Sequence, residues 1–152
     1  MFRRSSLLHI FVAGLAYAVL AQFFHSFFAY LSFDFYTNDL YSHFWSQLMM
    51  PQNGPPPAAF FFLSFFFSFV IGSIFVLTYR VIENSLCGES FLEKGLCFGI
   101  LLFLVSGIPM FLFLFLLLAL PVALIWIWAL ETFILYLLAG ILIARLSRFF
   151  LK

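Results

Sequence analysis

Glu131 stands inside "WALETFILYLLAGILIARL", a stretch otherwise apolar enough and long enough to cross a bilayer. A carboxyl group in such a place can do two kinds of work. Kept neutral, it donates a hydrogen bond and ties helices together, since desolvation favours the uncharged acid. Able to release its proton, it binds a proton or a cation, the usual work of ionisable groups at membrane depth. Its neighbours decide between the two, and depth decides its neighbours. At ~1.5 Å of rise per residue, Glu131 lies roughly 15 Å from the outer end of its helix. By the same count Gln22 and His25 lie roughly 14 and 9 Å deep, and Ser64 and Ser68 roughly 10 and 16 Å. These polar groups share one slab. Ser106 adds a hydroxyl from a further apolar segment, beside a kink expected at Pro109, whose ring displaces the carbonyl of Val105.

The favoured expectation is a neutral Glu131 bonded to Gln22, to a serine, or to the carbonyl freed by Pro109. The alternative is a proton or cation site with His25 as its outward relay. His9 falls on the other face of its helix and reads as interfacial.

Other chemistry is sparse. Asp39 and His43, four apart, are too few to hold a metal. Cys87 and Cys97 lack metal-ligand spacing and number too few for a disulfide framework, so they read as small packing residues. No phosphate-binding glycine loop, nucleophile elbow or HExxH motif occurs. No cofactor, no metal and no enzymatic activity are expected.

The elements that must position these residues are dictated by composition. The chain has 152 residues, 66% hydrophobic and 9% charged, with 26 phenylalanines. A soluble domain of this size cannot bury that much apolar surface, and lipid removes the need to. A net charge of +1 without a basic patch excludes nucleic acid as a partner. The expected fold is an all-α integral membrane protein, one domain over residues 1–152. Its four transmembrane helices form an antiparallel bundle, at about 5–31, 57–86, 91–118 and 121–147. The N-terminus resembles a signal peptide, but its apolar run continues to Leu31, so it reads as an uncleaved first span. In the outer loop, 32–56, Tyr41, Phe44, Trp45 and Leu48 recur at helical spacing, which predicts a short amphipathic surface helix from about Asp39 to Met50, capped by Asn38 or Asp39. This loop is the expected cover for the wholly apolar turn at Leu118–Pro121, and "PQNGPPP" ends its helix.

With four crossings all seven basic residues fall on one side. The other side receives Asp34 and Asp39. The positive-inside rule then puts both termini in the cytoplasm, with the plasma (inner) membrane as the expected location. Gly88 ends the second span, and Ser90 with Glu93 forms a capping box at the start of the third.

Small residues mark close packing. They are Gly14, Ala18 and Ala21 on the first span, Gly72 on the second, and Gly95 and Gly99 on the third. Gly140 and Ala144 lie on the face of the fourth span opposite Glu131. That second seam predicts a homo-oligomer or a membrane-protein partner through the fourth helix. The leading functional expectation is therefore a non-enzymatic accessory or self-associating structural subunit in the lipid bilayer. A small proton- or cation-coupled transporter using Glu131 is the alternative.

Overall fold

The structure is a computed structural model that describes residues 4–50 and 56–150. It is all-helical, with no strand among the described residues, and four of its helical segments are long and apolar enough to cross a membrane. The first is α1 (Arg4–Leu31), followed by a short α2 (Phe33–Thr37) and a 3-10 helix, Asp39–Phe44. The second segment is α3 (Ala58–Ile82), with a 3-10 turn at Glu83–Ser85. The third is made of α4 (Phe91–Leu102), a π-helical stretch Phe103–Gly107 and α5 (Ile108–Leu117). The fourth is α6 (Val122–Phe150).

The turn between α3 and α4 follows from local chemistry. Gly88 takes φ +89°, the left-handed conformation that glycine tolerates. Ser90 Oγ accepts from the Glu93 backbone N–H at 3.1 Å, and Glu93 Oε2 accepts from the Ser90 and Glu89 N–H groups at 3.1 and 2.9 Å. The capping box is complete, so three otherwise orphaned donors are satisfied. The same turn corrects the reading of the cysteines. Cys87 and Cys97 are joined in a disulfide, with Cα atoms 6.1 Å apart. The reversal at Gly88 folds the turn back onto the first coils of α4, which brings residues ten apart in sequence within bridging range.

Pro109 acts through a change of helix type. It lacks an N–H, and the five residues before Ile108 widen into π geometry, with the Ile108 N–H reaching the Phe103 carbonyl. The expected kink is thus taken up as an inserted residue. At the other end of the third segment the chain reverses at Leu118–Pro121, as its proline requires, and Leu124 N–H bonds the Pro121 carbonyl at 2.9 Å.

The expected amphipathic helix from Asp39 to Met50 is corrected: regular structure there stops at Phe44 and is 3-10. Side chains compete for the backbone. Asn38 Oδ1 accepts from Leu40 N–H at 3.0 Å, Ser42 Oγ donates to the Asp39 carbonyl at 2.8 Å, and Ser46 Oγ accepts from Met49 N–H at 3.2 Å. Each bond offers a local alternative to an α-helical ladder. The proline-rich end of the loop, 51–55, lies outside the described residues, as do Arg3 and Lys152. The loop does cover the apolar turn, because Phe44 and Trp45 pack on a cluster of Phe111, Leu120 and Ile125. The α6 helix continues to Phe150, past the expected end at 147, with Arg148 favourably placed in its last turn.

Packing runs α3 on α1, α1 on α6, and α6 on α4. Gly72 sits against the Tyr17 side chain, and Gly14 against Phe69 and Ser73. A Cβ at Gly95 would meet Ile141 Cα at 2.6 Å, and one at Gly99 would meet Leu137 Cα at 2.7 Å. Gly140 lies directly on the Gly95 carbonyl, so α4 and α6 touch backbone to backbone. In the seam expected to face a partner, Gly140 lies against the chain's own α4 and Ala144 is buried within the chain. The α6 helix is packed on two sides because α1 takes one and α4 the other.

Near Gly88 the α3 and α4 helices meet through Tyr79 and Phe98, whose rings are 5.2 Å apart, and Phe75 meets Tyr136 of α6 at 5.3 Å. Beyond this aromatic closure α3 and α5 part. His9 is fully buried rather than interfacial, with Nε2 3.2 Å from Ser147 Oγ and its ring stacked on Phe150.

Candidate functional site

The separation of α3 from α5 leaves a cavity of about 1040 Å³, roofed by the loop that follows α1. Its volume is at the upper end of the ~300–1,000 Å³ typical of small-molecule sites. Every long segment contributes to its wall: Gln22 and His25 from α1, Ser64 from α3, Phe111 from α5, and Trp128 and Glu131 from α6.

Glu131 is 5% exposed and lines the base of this space. Its Oε1 meets His25 Nδ1 in a direct hydrogen bond across the α1–α6 interface. The imidazole is the open half of the pair, with 48% of its side chain exposed against 6% for Glu131. Neutral acid with neutral imidazole, and carboxylate with imidazolium, contain the same number of protons and the same zero net charge. A proton can therefore pass along this hydrogen bond without changing the charge of the pair. With Nδ1 committed to Glu131, Nε2 is the nitrogen left to exchange a proton with the surroundings, the arrangement a histidine relay needs. The expectation that Glu131 bonds to Gln22, a serine or a freed carbonyl is corrected: its partner is His25. One turn of α1 separates Gln22 from His25, so the rotation and height of α1 against α6 select the histidine, and Gln22 stays beside the pair without joining it.

Gln22 lines the same cavity, and its Oε1 is buried without a hydrogen-bond partner in the protein. Ser64 lines it as well, and also borders a smaller groove of about 340 Å³, to which Ser68 belongs. Ser106 stands apart, its hydroxyl donating to the Leu102 carbonyl at 2.8 Å and lying 3.5 Å from Tyr136 Oη. Of the five polar residues grouped by depth, the structure thus brings four to one cavity, and Ser68 and Ser106 lie outside it. Gly95, Gly99, Gly140 and Ala144 lie in the α4–α6 contact, toward the Gly88 end.

The outer wall was missed in the sequence. Trp128 Nε1 donates to Tyr36 Oη at 2.9 Å, Tyr36 and Trp45 rings are 4.8 Å apart, and Trp45 approaches Trp128 edge-on at 6.4 Å. Trp45 Nε1 is buried without a partner. Burial pushes the Tyr36 phenol above its usual range, which keeps it a neutral hydrogen-bonding group. A signal existed for one of these residues: Trp128 stands three positions before Glu131, hence on the same helical face.

Asp39 also lines the cavity, whereas His43 packs on Phe44 with ring centroids 4.0 Å apart. Among the described residues no group of three or more histidine, cysteine or acidic side chains converges to hold a metal. No protein-family model, no curated protein and no solved structure matches the chain.

Proposed function

We propose that the protein is an integral membrane protein of one domain that couples binding in its cavity to a proton held by Glu131 and His25. Its class is then that of a small proton- or cation-coupled transporter. One observation carries this reading: a buried carboxyl group is linked to a large open cavity through a half-exposed imidazole. A carboxyl group kept only to tie helices together needs no such outlet. The competing reading, an accessory or self-associating subunit, took its support from the Gly140–Ala144 seam, and α4 occupies that seam.

Membrane insertion is supported by the surface. Phe62, Leu116 and Trp126 are 77%, 78% and 72% exposed on three of the long segments, far more apolar surface than water tolerates in one protein. Sidedness follows the charges. The Gly88 end carries the basic residues and lies in the cytoplasm with both termini, and the cavity opens outward.

The test is a pH titration of tryptophan fluorescence in lipid nanodiscs. Trp128 borders the cavity beside Glu131 and reports on its state. The wild type should show a one-proton transition that is altered in Glu131→Gln and in His25→Gln and absent when both are replaced, with all variants folded. An unchanged transition in Glu131→Gln would remove the basis of the proposal.

A further inference from the structure

The cavity has a chemical character of its own. Aromatic rings from every side enter its walls, with Tyr30, Tyr36, Trp45, Phe60, Phe111 and Trp128 among them. Among the described residues its charged side chains are acidic, Glu131 at the base and Asp39 at the rim, and no lysine or arginine lines it. This is a property of half the molecule. From residue 5 to 79, and again from 95 to 144, the sequence contains no lysine or arginine at all. An anionic or phosphate-bearing ligand would enter an apolar space with a carboxyl group at its end and no cationic partner except His25. A neutral lipid tail would leave Glu131 and the unpartnered Gln22 Oε1 without use. An inorganic cation needs six or so oxygen ligands at short range, and among the described residues no group of three or more acidic, histidine or cysteine side chains converges to begin such a set. Aromatic faces and a buried carboxylate together suit one class well, an organic ammonium with apolar substituents.

We propose that the cavity binds a lipophilic organic monocation whose charge replaces the proton held between Glu131 and His25. This rests on the proton-coupled reading above and adds the ligand class to it. The charge balance is explicit. Before binding, the pair holds one proton and is neutral overall. The cation enters with one positive charge, Glu131 becomes its carboxylate partner, and the pair's proton leaves through His25 Nε2 to the cavity mouth. Site charge is zero before and after, so neither state buries an unpaired charge, the costly outcome in a low-dielectric site. One cation is exchanged for one proton.

The groups that could disturb this count are few. Tyr17 on α1 and Tyr36 in the loop lie within electrostatic reach of Glu131. Asp39 stands at the rim, while α3 and α5 present only Ser64 and carbon or sulfur groups to the cavity beside their rings. None of these carries a positive charge that would compete for the carboxylate.

The experiment is calorimetric titration of the full chain in nanodiscs, in two buffers of different ionisation enthalpy. The probes are benzyltrimethylammonium and its uncharged carbon isostere, neopentylbenzene. The cation should bind with release of one proton, so that Kd falls about tenfold per pH unit while the site is still protonated. The isostere should bind at least tenfold more weakly, and Glu131→Gln should weaken the cation at least tenfold. Ser64→Trp, which narrows the cavity from α3 and leaves the acid in place, covers the case in which Glu131→Gln fails to fold, and should weaken binding at least tenfold. Equal binding of isostere and cation would assign the cavity to neutral lipid-like ligands and overturn the proposal. Binding without proton release, or no binding of either probe, would overturn it too. The ligand-free fluorescence titration reads the proton site separately, so a surviving one-proton transition without cation binding would strike the ligand class alone.

Discussion

Trp128 Nε1 and Tyr36 Oη, 92 residues apart in sequence, are joined at 2.9 Å. This bond fastens the loop after α1 to α6 beside Glu131, and so defines the outer wall of the cavity. Tyr36→Phe removes the acceptor and strands a partly buried indole N–H. The expected cost is about 1–3 kcal/mol, measured as thermal stability in detergent, with faster amide exchange confined to residues 33–50. Burial of the Tyr36 phenol, not the bond, also sets an alkaline limit, since the Trp128 N–H favours the phenolate and desolvation opposes it more strongly. The Tyr36 phenol is raised in the folded protein, so its contribution is complete below the unfolded value of ~10 and is lost as pH climbs past it. The Tyr36→Phe protein should lack that component of alkaline destabilisation. Equal alkaline profiles in both proteins would contradict this account.

Glu131 offers a second prediction through one change that keeps its hydrogen bonding and one that removes it. Glu131→Gln keeps shape and a donor, and should alter stability by less than about 1.5 kcal/mol while abolishing proton coupling. Glu131→Leu leaves His25 without its partner and should cost about 1–3 kcal/mol. A Glu131→Gln protein that still couples protons would show that the acid is only a tie between α1 and α6.

Gly140 separates internal packing from association. Its missing Cβ is what lets α6 lie on the Gly95 carbonyl. Gly140→Ala should destabilise the single chain by about 1–3 kcal/mol, with no change of mass in native mass spectrometry. A stable variant with an altered oligomeric state would return this seam to a partner.

Cys87 and Cys97 test sidedness. Closing so short a loop is worth on the order of 2–3 kcal/mol, so Cys87→Ser should lower the unfolding temperature of the oxidised protein and leave that of the reduced protein unchanged. The turn that holds them also carries Arg80 and Lys94 nearby, which argues for the cytoplasm, where thiols are kept reduced. A permeant maleimide should therefore label both cysteines in untreated cells, and an oxidant should block the labelling. A bridge intact in untreated cells would put this turn, and with it both termini, on the opposite face.

The long segments were legible because lipid-length apolar runs, a proline and a capping box are local signals. Ser90 with Glu93 sits in four consecutive residues, and Gly88 announces its own backbone. The pairing of Glu131 with His25 was only half legible. Depth along two helices is countable, but rotation of one helix about its axis relative to another is set by packing at distant points such as Gly14 on Ser73. The filling of the Gly140 seam was hidden for the same reason, since small residues reveal a close contact without saying whose backbone makes it. The disulfide was missed because spacing alone does not reveal a chain reversal tight enough to return ten residues later. The loop departed from its apolar periodicity because three side chains, Asn38, Ser42 and Ser46, outcompeted the α-helical ladder.

The π-helical stretch Phe103–Gly107 has a mechanical consequence. An inserted residue advances the helical phase by ~100°, so α4 and α5 are one rod in length but two in bearing. Below the stretch, Gly95 and Gly99 clamp the rod to α6, and its orientation is not adjustable. Above it, α5 points Phe111 at the cavity from a phase that no glycine clamp dictates. Side-chain changes along α5 can therefore reshape the cavity wall without disturbing the α4–α6 contact, and the two halves of the third segment are free to diverge at different rates.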